Sequence, residues 1–376
     1  MKITIVLGAF LPVPAIMGGA VEKAWLMLAG EFATRGHEVT ILSRAHPRFP
    51  REEILDGVRH VRVKGFDSPR SLIWLKCLDL FYSLRAKFAL PDADVLVTNT
   101  FWLPVLVRNR KRGRIYVHVA RFPKGQLSFY RSASRLQAPS TAVARAIEEQ
   151  APALANKVTV IPYPAPSILS KGTPPPLPER EKIILFVGRV HPEKGVHLLV
   201  KAFATHARTL FADWKLMIVG PVEEKFGGGG ETYMTSLRRF GEAAAGQVMF
   251  SGSIFDSAEL EKTFRGARLF VYPSLAERGE SFGLAPLEAM THGCPALVSD
   301  LECFKDFIID GATGFVFNHR TQGPAEALVH KMQDIISDET MLARVATAGY
   351  EKATEYSLPR VADRFLQDFH SVLQNH

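Results

Sequence analysis

Short apolar runs alternate with longer stretches whose apolar positions recur every three or four residues, and the alternation continues along most of the chain. Runs of strand length fall at 2–7, 38–42, 95–98, 115–119, 158–161, 183–187, 215–219, 248–250 and 269–272. Stretches of helical period fall at 20–35, 196–210, 257–264, 284–292 and 325–337. Strands that alternate with helices predict parallel sheets covered by helices on both faces. The series breaks once, at 164–181, PAPSILSKGTPPPLPERE, whose six prolines predict a stiff, exposed linker. Strands lie on both sides of it. The expectation is therefore α/β, with two doubly wound sheets and the cleft between them as the default ligand site.

Composition narrows this picture only a little. A chain of 376 residues is long enough for two domains, each with its own core. Hydrophobic residues at 47% and charged residues at 22% exclude wholesale disorder and fibrous repeats. The formal charge of +8 suits an anionic partner, either a nucleotide phosphate or an anionic membrane surface. No nucleic-acid motif accompanies the charge, so nucleic acid is not an expected partner. Cys77, Cys294 and Cys303 have neither metal-ligand nor redox spacing, which points to a reducing, cytoplasmic setting. The opening residues do not read as a secretory signal, because Pro and Gly follow the apolar run without a small-x-small site.

Three loops carry candidate chemistry. Gly18 and Gly19 stand between the first strand and the first helix, where glycine lets the backbone approach an anion at a helix start. The pattern is neither a dinucleotide fingerprint nor a P-loop. After the strand at 183–187 come Gly188, Arg189 and, five residues on, Lys194. A guanidinium and an ammonium at one strand end suit a diphosphate. After the strand at 269–272 come Glu280, Ser281, Phe282 and Gly283, then a helix that begins at Leu284 and carries Glu288 one turn in. Unpaired N–H groups at Gly283 and Leu284 would face a phosphate, and Glu288 would lean back beside it to accept from a ribose diol. Each acid read alone is a helix-dipole partner or a solvated loop acid; it is their spacing around a glycine-initiated helix that points to a site.

These residues resemble family 4 of the retaining glycosyltransferases, the group of two Rossmann-like domains known as GT-B. The resemblance rests on Gly18–Gly19, GRVHPEKG at 188–195, FSGSI at 250–254, ESFGLAPLEAM from Glu280 through Glu288, and DGATGF at 310–315. It covers nearly the whole chain and is strongest at 184–317. It implies an acceptor domain at 1–165, the linker at 166–181, a nucleotide-sugar domain at 182–357, and a last helix at 358–376 that crosses back to the first domain. It also implies roles. Arg189 and Lys194 bind the donor diphosphate, Glu280 the donor sugar and Glu288 the ribose. Gly283 and Leu284 meet phosphate through their backbone, Ser253 and Ile254 lie by the base, and Gly19 approaches the diphosphate. His118 corresponds to a histidine near the reacting sugar, although its apolar surroundings read equally as those of a core histidine. Retention by same-face attack is implied. The resemblance implies no bound metal, and no cofactor beyond the UDP- or GDP-sugar is expected.

The acceptor, a glycan, lipid-linked or small molecule, belongs to the first half. There the stretch 72–90 is rich in apolar residues but carries Lys76, Asp79, Arg85 and Lys87, too many charges to span a bilayer. It reads either as a core helix or, with the basic run at 108–114, as a peripheral face for an anionic membrane. The glycines at 227–230 read as a mobile or disordered loop. A sugar-nucleotide epimerase, a glycoside hydrolase with paired carboxylates and a non-catalytic sugar-binding module remain the rival readings.

Overall fold

The computed structural model describes residues 1–69, 71–165, 174–244 and 246–374. It divides into two compact units, Met1–Pro164 with Leu358–His376 and Ala165–Ser357. Unit 1 holds β1 (Lys2–Val6), α1 (Ala20–Thr34), β2 (Glu38–Arg44), β3 (Glu52–Leu55), β4 (Val58–Val63), α2 (Leu72–Ala89), β5 (Val95–Thr98), α3 (Leu103–Leu106), β6 (Arg114–His118), β7 (Arg135–Ala138), α4 (Thr141–Gln150) and β8 (Val158–Val160). Unit 2 holds β9 (Glu181–Val187), α5 (Val196–Thr205), β10 (Lys215–Val219), α6 (Gly230–Gly241), β11 (Val248–Gly252), α7 (Ser257–Gly266), β12 (Ala267–Tyr272), α8 (Leu284–Thr291), β13 (Ala296–Ser299), β14 (Phe315–Phe317), α9 (Pro324–Ser337) and α10 (Glu339–Thr354). The last helix, α11 (Leu358–Gln374), returns to unit 1.

The sheet of unit 1 runs β3-β4-β2-β1-β5-β6-β7-β8, all parallel except the β3–β4 hairpin. Its central strands are buried on both faces, and each face has its own apolar cluster. On one face α1 buries Trp25, Leu28, Ala29 and Phe32, a stripe at helical spacing. The same cluster takes Val361, Ala362, Phe365 and Phe369 of α11. Polar bonds fix α11 there: Asp368 receives the Tyr116 hydroxyl at 2.8 Å and pairs with Arg135 at 2.7 Å.

The sheet of unit 2 is wholly parallel, in the order β11-β10-β9-β12-β13-β14. Numbered within the unit, this is 3-2-1-4-5-6, the doubly wound order in which the chain reverses direction between the first and fourth strands. That switch point lies between β9 and β12, which pair in register at Phe270 and Leu185. Ligands of such sheets bind outside the carboxyl ends of the strands at that place.

Three expectations change. Of the linker at 166–181, residues 166–173 lie outside the described residues, while 174–180 pack into unit 2. Arg180 is buried there and donates to the carbonyls of Ala267 and His292, and Glu181 already belongs to β9. The glycines at 227–230 form a knit loop: Gly229 N–H donates to the Val190 carbonyl at 2.8 Å and Gly230 N–H to that of Val222 at 2.9 Å. The stretch 72–90 is a helix, but not a core helix. Its inward face is Asp79, Tyr82, Ser83 and Ala86, whereas Leu72, Ile73, Trp74, Phe81 and Phe88 are exposed.

Candidate active site

At the switch point of unit 2, two loops are stitched together. The loop after β9 closes in a tight turn, Pro192–Lys194, followed by Gly195 in a left-handed conformation. A Cβ at Gly195 would lie 1.9 Å from the Pro273 carbonyl oxygen, so only glycine allows this approach to the end of β12. The Leu275 N–H donates to the Glu193 carbonyl at 2.8 Å, and Ser299 ties the Ser274 carbonyl from the next strand. This stitching brings Lys194 to Glu280, 86 positions apart in sequence, at 2.5 Å.

The pair is sheltered, with side-chain exposures of 7% and 12%. Glu280 Oε2 also accepts from the Ser274 hydroxyl at 3.1 Å and the Tyr272 hydroxyl at 3.3 Å. Burial, and then the Glu280 charge, push the Tyr272 hydroxyl far above its ordinary pKa, so it remains a donor. All three described bonds end on Oε2. Sequence reading found Glu280 and Lys194 but missed their mutual bond and the two hydroxyls that hold the carboxylate.

Arg189 projects from the end of β9. Its guanidinium pairs with Glu193 at 2.5 Å and donates to the Gly227 carbonyl at 2.8 Å. Burial raises the Glu193 pKa, but the Arg189 hydrogen bond and the charges of Arg189, Lys194 and His191 outweigh it, and Glu193 titrates below the ordinary range. The guanidinium expected at a diphosphate is thus held by an internal carboxylate, a partner that sequence reading did not identify.

Gly283 caps α8 with φ 98°, and no side chain caps the helix start. A Cβ there would lie 2.5 Å from the Phe304 ring. The amides of Leu284 and Ala285 begin the helix, and Pro286 supplies none, so the free donors sit where an anion is best received. Leu284 and Glu288 are half-buried on this turn, as is Ser281 before it. Phe282 differs: its ring is buried against Phe307 and Tyr356, so it anchors the turn, and only its backbone is left for a donor. Gly188 ends β9, and Ser253 and Ile254 follow β11, two strands away on the same edge of the sheet.

Unit 1 presents its motif residues differently. Gly18 and Gly19 do adopt positive φ, 82° and 111°. The carboxylate of Glu22, however, folds back over Gly19, where a Cβ would meet Glu22 Oε2 at 2.2 Å. Burial raises the Glu22 pKa, against its own backbone N–H and the Arg121 charge, which lower it. The anion seat at the start of α1 is therefore taken by the chain's own acid, at the place where Gly19 was expected to approach a diphosphate. His118 is 3% exposed, and both ring nitrogens are engaged, one by Gln137 and the other by the Tyr163 hydroxyl at 2.9 Å. Burial lowers its pKa to about 4, against the Gln137 bond. With both nitrogens engaged, His118 has the geometry of a satisfied core histidine.

Unit 2 thus carries two cations, a carboxylate held by three bonds and an uncapped helix start at the switch point of its doubly wound sheet. The family model for glycosyl transferases group 1 matches residues 173–352, and that for glycosyltransferase family 4 matches 17–165. The phosphatidyl-myo-inositol mannosyltransferase of Mycobacterium leprae is 28% identical over 52% of this chain; the match spans about half (48%) of that relative's length. The Mycobacterium tuberculosis protein of the same name is 25% identical over 97% of both chains. Among solved structures, sucrose-phosphate synthase from Thermosynechococcus elongatus superposes with a TM-score of 0.80 at 19% identity over all of both chains. The Anabaena protein HepE, solved with UDP and glucose, superposes with 0.71 at 18% identity, over 99% of this chain and all of that one. The chain belongs to the family 4 glycosyltransferases and has the GT-B fold.

Proposed function

We propose that the protein transfers a sugar from a UDP- or GDP-sugar to a hydroxyl on a glycan or glycolipid precursor, with retention of configuration and without a bound divalent metal. The observation that carries this reading is the sheltered Lys194–Glu280 pair beside Arg189 and the uncapped start of α8. As the sugar–phosphate bond breaks, negative charge grows on the leaving diphosphate. Lys194, Arg189 and the first amides of α8 stabilise that charge, usually the largest catalytic contribution. Glu280 accepts from sugar hydroxyls through Oε1, and Glu288 is placed one turn into α8 for the ribose. The acceptor hydroxyl attacks the face that the phosphate leaves, and a leaving phosphate oxygen takes its proton. NMR of the product anomer tests the stereochemistry: an α-donor should give an α-product, and a β-product removes this mechanism. Chelation with EDTA should leave the rate unchanged. Free nucleotide released at full rate without an acceptor would favour the epimerase reading instead.

We also propose that unit 1 works at the cytoplasmic face of a membrane. No helix among the described residues is long and apolar enough to cross a bilayer. Along the solvent side of α2, Ile73, Trp74, Phe81 and Phe88 form an apolar row, with Lys76 and Lys87 also exposed beside it. An apolar helical face flanked by lysines suits the interface of an anionic bilayer. The lipid acceptors named for the mycobacterial relatives agree with this reading. Co-sedimentation with anionic but not neutral vesicles is expected, and it should weaken in Trp74→Ser/Phe81→Ser.

A further inference from the structure

A second cationic site lies at the other end of the unit 1 sheet. His118 ends β6 at its carboxyl edge, whereas Arg114 opens the same strand at its amino edge. Around Arg114 is a groove of about 540 Å³. Five cations line it from three neighbouring connections: Arg108 and Arg110 before β6, Arg114 at its start, Arg135 at the start of β7, and Lys157 before β8. No carboxylate lines it.

The cations are of two kinds. Arg135 is neutralised by Asp368, and the Lys157 ammonium is fixed by the Arg131 and Ala133 carbonyls at 2.8 and 2.9 Å without meeting an acid. Arg108, Arg110 and Arg114 have no acidic partner among the described residues. The neighbouring Arg112, by contrast, pairs with Asp92 outside the groove. The turn that carries Arg110 is set rather than loose. Asn109 caps it by accepting from the Lys111 N–H at 3.0 Å, and Gly113 closes it with φ 100°, in a place where a Cβ would lie 2.9 Å from the Val95 backbone. Like charges that line one groove repel one another, and a bound anion relieves the repulsion. A groove of this volume exceeds one phosphate group and falls in the range of ligand pockets.

We propose that this groove binds a phosphate-rich anion, a di- or triphosphate or a phosphorylated headgroup, through Arg108, Arg110, Arg114 and Lys157. Forked guanidinium bonds to phosphate oxygens give the specificity. The site belongs to unit 1 alone and takes no part in the sugar-transfer step.

The test is calorimetric titration of the full chain with inorganic tripolyphosphate, in an Arg189→Ala background that weakens the donor end equally in every sample. Arg110→Ala/Arg114→Ala should lower affinity at least about tenfold, the loss of one or two charge-assisted bonds. Arg112→Ala, equal in charge to either single change but paired with Asp92 outside the groove, should change it less than about twofold, as an already paired surface charge does. A parallel arm measures co-sedimentation with phosphatidylcholine vesicles containing phosphatidate. Loss in both arms assigns the site to a lipid phosphate; loss with tripolyphosphate alone assigns it to a soluble anion. Either result supports the groove. Unchanged binding in both arms, or an equal loss in Arg112→Ala, overturns it. The variants' unchanged melting temperature serves as the folding check, since Arg110 is exposed and Arg114 half-buried.

Discussion

The two units carry the same kind of sheet, yet their carboxyl edges are finished differently. In unit 2 the polar groups at the switch point converge on an open turn, and each holds a partner that a ligand can replace or join: Glu193 for Arg189, Oε2 but not Oε1 for Glu280. In unit 1 the corresponding groups are closed upon themselves. His118 has both nitrogens filled, and Glu22 folds back over Gly19. On the proposed function, the difference places the donor chemistry in unit 2 and leaves the unit 1 motif residues bonded within their own unit.

Four expected outcomes test that contrast, starting with the largest. Lys194→Ala should lower kcat/KM for transfer by about 10²–10³, the usual cost of removing one preorganised charge stabiliser. Steady-state kinetics checks it, with a melting curve to show that unit 2 stays folded. His118→Gln should instead act on stability. Leaving Tyr163 or Gln137 with a poorer partner costs about 1–3 kcal/mol, read from denaturant unfolding, while kcat/KM in the folded fraction stays within about threefold, under 1 kcal/mol of barrier. A thousandfold loss of activity at unchanged stability would return His118 to the chemistry and break the comparison.

Acidification probes the same burial. His118 and His292 both have pKa values lowered from 6.5 to about 4, chiefly by burial. Each is neutral when folded, and the unfolded chain binds the proton more readily. Stability from these groups is therefore complete above pH 6.5 and is lost as the pH falls from 6.5 toward 4. The slope is about 1.4 kcal/mol per pH unit for each proton taken up. Melting temperature against pH should show this fall, and His118→Gln should remove the share that belongs to His118. The smallest effect sharpens the picture of unit 2. Glu193→Gln frees Arg189 from its internal acid and should tighten donor binding by a few-fold, about the worth of a partly exposed ion pair. Weaker binding would mean that Glu193 orients Arg189 rather than restrains it.

Much of this was legible in the sequence because parallel strands buried on both faces leave unbroken apolar runs, as at Ile184–Phe186 and Leu269–Val271. The turn from Glu280 to Glu288 was legible because glycine, acid and helix period coincide there. The β3–β4 hairpin was not, since β3 is an edge strand with charged, largely exposed residues. The outward row of α2 was legible only as one of two readings, a core helix or a peripheral face. Periodicity marks a helix but not which face is buried, and Asp79 sits inside because it accepts the Phe101 and Trp102 amides. Glu22 escaped notice because an acid in a first helical turn is ordinary; only its position over Gly19 gives it meaning. The groove around Arg114 joins residues from three connections, and only the fold brings them together.

The most direct test of the central claim is a thermal-shift screen of UDP-, GDP- and ADP-sugars on the wild type and on Lys194→Ala and His118→Gln. A ligand that binds only the folded state raises the melting temperature by mass action. One nucleotide-sugar should stabilise the wild type and His118→Gln alike and lose that effect in Lys194→Ala. An undiminished shift in Lys194→Ala, or a shift abolished only in His118→Gln, would contradict the assignment of the donor site to unit 2.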